Sequence, residues 1–172
     1  MKLFLSSTSA LALAVLLAAC GGGDEGIIVN EHEPSPSGAS ATVTVSGATG
    51  ADVGLNGVYT TGNLSLNNVT KVNPIGEHET CRFRFAGPTE PAGGKIMDGD
   101  IRYLPGTNAL DTTFVSIATV EFRLEGTTGA TVDRTNNRVT YTGAVLTSTQ
   151  STGRTIVLTG SIPMRGDRPE GC

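Results

Sequence analysis

From Ala41 to the end of the chain, short segments of alternating apolar and polar residues recur, each cut off by Gly, Asn or Pro, and this pattern confines the chain to β structure. The clearest case is residues 80–85. Cys81, Phe83 and Phe85 fall on one face and Arg82 and Arg84 on the other, as the two-residue period of a strand requires. Threonine, glycine and β-branched residues dominate the composition, and no segment carries the 3.6-residue spacing of an amphipathic helix.

Further strands follow by the same rule. Val43 and Val45 share a face in residues 42–46, and Leu64 and Leu66 do so in 63–69, which is expected to pair with 55–61 across Thr61-Gly62-Asn63. Residues 96–104 align Ile101 with Tyr103. Residues 113–124 turn Val120, Phe122 and Leu124 inward and Glu121 and Arg123 outward, with a parity shift near Ile117 that predicts a bulge or bend. Residues 132–134 and 138–145 form a hairpin over Thr135-Asn136-Asn137, with Val139, Tyr141 and Val145 facing the core. The last strand, 155–164, aligns Ile156, Leu158, Ile162 and Met164 around a small or bulged Gly160, and Pro163 puts its end at an edge. About eight such strands with one apolar face each must close on one another, as an antiparallel β-sandwich or a small β-barrel. No internal repeat points to a propeller or solenoid.

The first forty residues are of another kind. Lys2 precedes an apolar run, 3–19, that ends in small residues and is interrupted by Ser6, Ser7, Thr8 and Ser9, which suits a removed signal better than a membrane span of about 20 apolar residues. Leu17-Ala18-Ala19-Cys20 resembles the lipobox of bacterial lipoproteins. The resemblance covers the signal only and implies cleavage before Cys20, diacylglycerol on its sulfur and an acyl chain such as palmitate on its amino group. Several acyl chains give stable anchoring where one gives marginal attachment. In that family an Asp after the cysteine favours the inner membrane. Gly21 stands there, so the resemblance implies the outer membrane, with a domain facing the periplasm or the outside. Residues 20–40, rich in Gly, Pro, Ser and acid, read as a lipidated flexible linker, and 41–172 as one β domain. Within the linker, Ile27, Ile28 and Val29 are the one apolar run.

The formal charge is −4, and removing residues 1–19 takes away Lys2 and no acid. Nucleic acid is a poor partner for such a chain. Asp24, Glu25, Glu31 and Glu33 lie in the linker with no basic partner, whereas from Asp52 onward 12 acidic side chains face 11 basic ones. Anionic head groups repel an acidic linker, which holds a nearly neutral domain off the bilayer. With Cys20 assigned to lipid, Cys81 and Cys172 remain as an even pair in an oxidising setting, which predicts a disulfide; two free thiols are the alternative. No Cys-x-x-Cys spacing supports zinc.

Candidate chemistry is sparse. Both histidines occur in Glu-His-Glu triplets, Glu31-His32-Glu33 and Glu77-His78-Glu79, but on a strand the middle residue points away from its neighbours, so a coincidence of composition is the reading preferred to a metal. Asp98-Gly99-Asp100 lacks the later ligands of a calcium loop and reads as a turn. Gly93-Gly94-Lys95 lacks the rest of a phosphate loop, and Gly47-Ala48-Thr49-Gly50 has no helix after it to make a dinucleotide site. Arg165-Gly166-Asp167 spells an integrin-type tripeptide in a tail expected to be exposed, where chance suffices. The acid pairs Asp98 with Asp100 and Glu121 with Glu125 leave a weak hydrolase reading. Arg82, Arg84 and Arg123 all face outward and form a candidate anion-binding face. The leading expectation is a non-enzymatic envelope protein without cofactor, binding another envelope protein or polymer. A lipocalin-like small-ligand carrier is the alternative.

Overall fold

The computed structural model describes residues 33–73, 75–76 and 78–172. Residues 1–32, with Cys20, His32 and most of the linker among them, and Pro74 and Glu77 lie outside the described residues. The remainder forms twelve antiparallel ladder segments: β1 Ser35–Pro36, β2 Ala41–Ser46, β3 Gly57–Thr61, β4 Ser65–Leu66, β5 Thr70–Val72, β6 Thr80–Thr89, β7 Ile96–Tyr103, β8 Leu110–Ile117, β9 Val120–Glu125, β10 Ala130–Asp133, β11 Arg138–Ser148 and β12 Thr155–Pro163.

Register reduces these twelve to eight working strands. β3, β4 and β5 lie in succession along one edge of β6, β1 continues β2 along β4, and β9 and β10 pair in turn with β11. Each working strand then pairs with the next in sequence, β12 pairs with β2, and β6 pairs with β7, so the sheet closes. The architecture is a closed up-and-down barrel, the solution that leaves the smallest open edge. The sheet takes in Ser35–Pro36, which the sequence assigns to the linker.

Inward positions are filled. All three tyrosines, Tyr59, Tyr103 and Tyr141, and Phe83, Phe85 and Phe122 are fully buried, together with Val43, Leu66, Met97, Ile101, Leu146 and Leu158. Each phenol hydroxyl has a partner: Tyr59 donates to the Leu55 carbonyl at 2.8 Å, Tyr103 to the Cys172 carbonyl at 2.9 Å, and Tyr141 shares a 3.0 Å bond with Thr113 Oγ1. A barrel of eight strands has room for this many side chains or for one small ligand.

Two glycines relieve the curvature. A Cβ on Gly160 would stand 2.3 Å from the Thr42 carbonyl oxygen, so its absence lets β2 and β12 approach. At Gly99 the ring of Phe85 takes the place of a side chain, and a Cβ would meet it at 2.6 Å. Asp98-Gly99-Asp100 is therefore the middle of β7, not a turn.

Several expectations are corrected. Residues 113–124 are two strands, β8 and β9, joined by a two-residue turn in which Ala118 and Thr119 have φ of 48° and 74°. A bulge between Thr142 and Ala144 reverses the parity of β11, so Ala144 and Leu146 face inward and Val145 is 53% exposed. β3 pairs with β2 and β6, and β4 with β1 and β6, so 55–61 and 63–69 are not partners. A short 3-10 helix, Gly50–Leu55, does follow the Gly47–Gly50 loop. It closes one mouth, held by a bidentate ion pair between Asp52 and Arg154.

The tail closes the other mouth. After β12, Met164 is buried and Cys172, 3% exposed, forms a disulfide with Cys81 at the start of β6, with Cα atoms 5.6 Å apart. In barrel order β12 and β6 are separated by β2 and β3, so the tail crosses the opening. Gly166 and Asp167 are exposed as the sequence predicts, and Arg165 is half-buried. Its guanidinium donates to the carbonyls of Leu66, Ser35 and Pro36, where β12 parts from β1.

Candidate outer-face site

Strands β6 to β9 are all antiparallel neighbours, so their outward residues form rows across the barrel wall. One row runs Arg84, Asp100, Phe114, Arg123; the rows beside it are Arg82, Arg102, Thr112, Glu125 and Ala86, Asp98, Ser116, Glu121. All three arginines singled out in the sequence thus share one face. Asp100, which the sequence offered only as one of an acid pair, and Arg102 and Phe114, which it did not single out, complete it.

The face is balanced in charge. Asp100 accepts from Arg82 Nε at 2.6 Å and from Arg102 Nε at 3.4 Å, and Arg123 pairs with Glu125 at 2.5 Å. Arg84 stands near Asp98 and has partners of its own. Four arginines meet four carboxylates here, and the anion-binding expectation loses the unpaired cations it needs.

Phe114 is the centre of the face. Arg102 and Arg123 bring their guanidinium carbons to 5.6 and 5.4 Å from its ring centroid. Clefts adjoin on both sides: one of about 340 Å³ holds Asp98, Ser116 and Glu121, and one of about 730 Å³ holds His78, Asp111 and Glu125, with Phe114 in the wall of both. A third, of about 600 Å³, continues past Arg123 to Val145 and Thr147. The result is a furrow with an aromatic centre and many hydroxyl and charged groups.

Asp98 is the group in the furrow with an altered acidity. Desolvation pushes its carboxyl above the ordinary range, Arg84 opposes this, and Glu121 adds to it. Across strands the fold also sets Asp98 and Glu121 in one row on either side of Ser116, and Asp100 lines the same cleft.

The remaining sequence candidates resolve simply. His78 shares a 2.9 Å contact with Asp111, and Glu79 pairs with Lys71 at 3.3 Å. Among the described residues no group of three or more His, Cys, Asp or Glu is placed to hold a metal. The amides of Ala92 and Gly93 donate to the carboxylate of Glu90 at 2.9 and 2.5 Å, so the Gly93-Gly94-Lys95 loop is filled by its own side chain. Among the described residues no helix is long and apolar enough to cross a membrane.

The fold and face define a class: a closed, eight-stranded meander with a charge-balanced furrow on its wall. No protein-family model, curated protein or solved structure matches the chain.

Proposed function

We propose that the chain is an outer-membrane lipoprotein, anchored through acylated Cys20, whose barrel is a non-catalytic binding or structural module for another component of the envelope. The observation that carries the binding role is the division of the barrel into a filled inside and a furrowed outside. Aromatic side chains occupy the interior, and the chain's own segments cross both mouths, which leaves the wall around Phe114 as the surface for recognition. A mixed row of guanidinium, carboxylate and hydroxyl groups around an aromatic ring suits a polar, hydrogen-bonding partner.

Two experiments test the two halves. Mass spectrometry of the mature protein is expected to find acyl chains on Cys20, and Cys20→Ala is expected to leave the membrane fraction; an unmodified Cys20 overturns the anchor. Capture from solubilised envelopes is expected to yield a partner that Phe114→Ala and Arg123→Glu lose, and an empty capture counts against the binding role. The meander topology alone is also compatible with a second reading, a small-ligand carrier, but the filled interior counts against it. Native mass spectrometry of freshly purified protein would reveal such a ligand as added mass.

A further inference from the structure

Two further arginines lie together away from the outer face. Arg134, just beyond β10, and Arg168, in the tail, line a cleft of about 530 Å³ at the mouth latched by the disulfide. Asn108, Thr135, Gly166, Pro169, Gly171 and Cys172 form the rest of its wall, and among the described residues no acidic side chain lines it. The three clefts described on the outer face, by contrast, contain acids.

The donors there are only partly used. Arg134 donates from Nε to Asn108 Oδ1 at 3.2 Å and from Nη1 to the Gly171 carbonyl at 2.9 Å. Arg168 donates from Nη2 to the Arg134 carbonyl, while its Nη1 is buried without a hydrogen-bond partner. A stranded guanidinium donor carries a substantial desolvation cost unless something fills it. Both guanidiniums also bear on the Tyr103 hydroxyl: burial raises the phenol, and the charges of Arg168 and Arg134, with a hydrogen bond from the Arg168 side chain, oppose the rise. The two guanidinium groups therefore converge on one small region. Were Cys172 to bear a terminal carboxylate, one of the two charges would be offset and the lining would still be cationic.

We propose that this cleft binds a phosphoryl group, held between the Arg134 and Arg168 guanidiniums. Planar guanidinium forks match the oxygens of phosphate, and the cleft is larger than a bare ion, leaving space for what the phosphoryl group is attached to. Two sources share this chemistry: a soluble phosphate ester and a phospholipid head group. The cleft lies at the end of the barrel where β1 begins, since Arg165 of the same tail holds Ser35. If the lipid anchor proposed above is present, the tether joins the barrel at that end, and the head-group source rests on that reading.

The test uses the full chain with Cys20→Ala, so that attachment through acyl groups does not contribute. Inorganic phosphate is titrated while the guanidinium nitrogens are followed by NMR. Saturable shifts at Arg134 and Arg168, absent at Arg123, are expected. The double variant Arg134→Gln/Arg168→Gln is expected to bind phosphate at least about tenfold more weakly, because charge-assisted contacts are lost. Should that variant unfold, the shifts in the unaltered chain still decide, and Arg134→Lys/Arg168→Lys retains charge. Phosphatidylglycerol vesicles form the second arm: binding that phosphate displaces assigns a head group, and phosphate binding without vesicle binding assigns a soluble ester. No saturable phosphate shift at either arginine overturns the proposal. Acylation of Cys20 is measured independently, so failure here leaves the anchor reading intact, and failure there leaves the phosphate arm intact.

Discussion

Removing the Cys81–Cys172 disulfide is the most exacting perturbation of this fold, because it tests whether the tail is a structural part of the barrel or an appendage. The bridge closes a loop of 91 residues. In the chain-entropy description, a loop of that length contributes about 4.6 kcal/mol at 25 °C by restricting the unfolded chain. Unfolding entropy near 2.1 cal/mol/K per residue over about 140 ordered residues converts this into a fall in Tm of about 15 °C. Replacing Cys81 by Ala also removes a buried sulfur from a site with no exposure, adding about 1 kcal/mol. The assay is guanidinium unfolding of Cys81→Ala/Cys172→Ala against the parent chain, both with Cys20→Ala. A lower midpoint with an equal or larger m-value is expected, since an unfolded chain without the cross-link exposes more surface. Two outcomes refute the reasoning. One is a loss below about 1 kcal/mol, small against the loop term. The other is an unchanged midpoint with faster amide exchange confined to the tail, which would show local fraying over an independent barrel.

Three further perturbations read separate parts of the structure. Asp98→Asn is expected to raise the urea midpoint at pH 7: the folded carboxyl titrates above its unfolded value, so its charged form weakens the fold as pH rises, and the gain should vanish in acid where Asp98 is protonated. Asp52 has the opposite sign. The Arg154 guanidinium holds its carboxyl below the ordinary range, so its contribution is present above about pH 4 and lost as pH falls further; Asp52→Asn should flatten that acid limb in thermal melts. Gly160→Ala places a Cβ against the Thr42 carbonyl at φ of 141° and is expected to cost about 1 to 3 kcal/mol, read by denaturant unfolding; a neutral effect would show that β2 and β12 are not in close contact.

Strand faces were legible in the sequence wherever one strand carries its own signal. Cys81, Phe83 and Phe85 of β6 and Val43 and Val45 of β2 are buried as their alternation requires. Turns without their usual residues were not legible. Ala118-Thr119 occupies positive φ without the Asn or Gly that favours it, so β8 and β9 read as one bent strand. The bulge at Gly143 reversed β11 for a similar reason, because a single glycine does not declare which way it shifts the register. Closure itself depends on pairing β2 with β12, more than a hundred residues apart, and alternation within strands is the same in a sandwich and a barrel.

Charge compensation was the least legible feature, and it separates the two arginine groups. The face of Arg82, Arg84 and Arg123 follows from alternation, but Asp100, which quenches Arg82, arrives from a neighbouring strand. Arg134 and Arg168 lie 34 residues apart and meet because the tail is drawn over the mouth, where Arg168 reaches the Arg134 carbonyl and Cys172 is bonded to Cys81. The disulfide therefore has two consequences from one geometry: it restrains the unfolded chain, and it builds the cationic cleft. Reduction under conditions where the barrel stays folded is then expected to weaken phosphate binding sharply while leaving capture through Phe114 unchanged, since β6 to β9 supply that face without the tail. Parallel loss of both would mean that the tail orders the whole barrel. Loss of neither would mean that Arg168 keeps its place without the latch, and that the hydrogen bonds of the tail alone suffice to close the mouth.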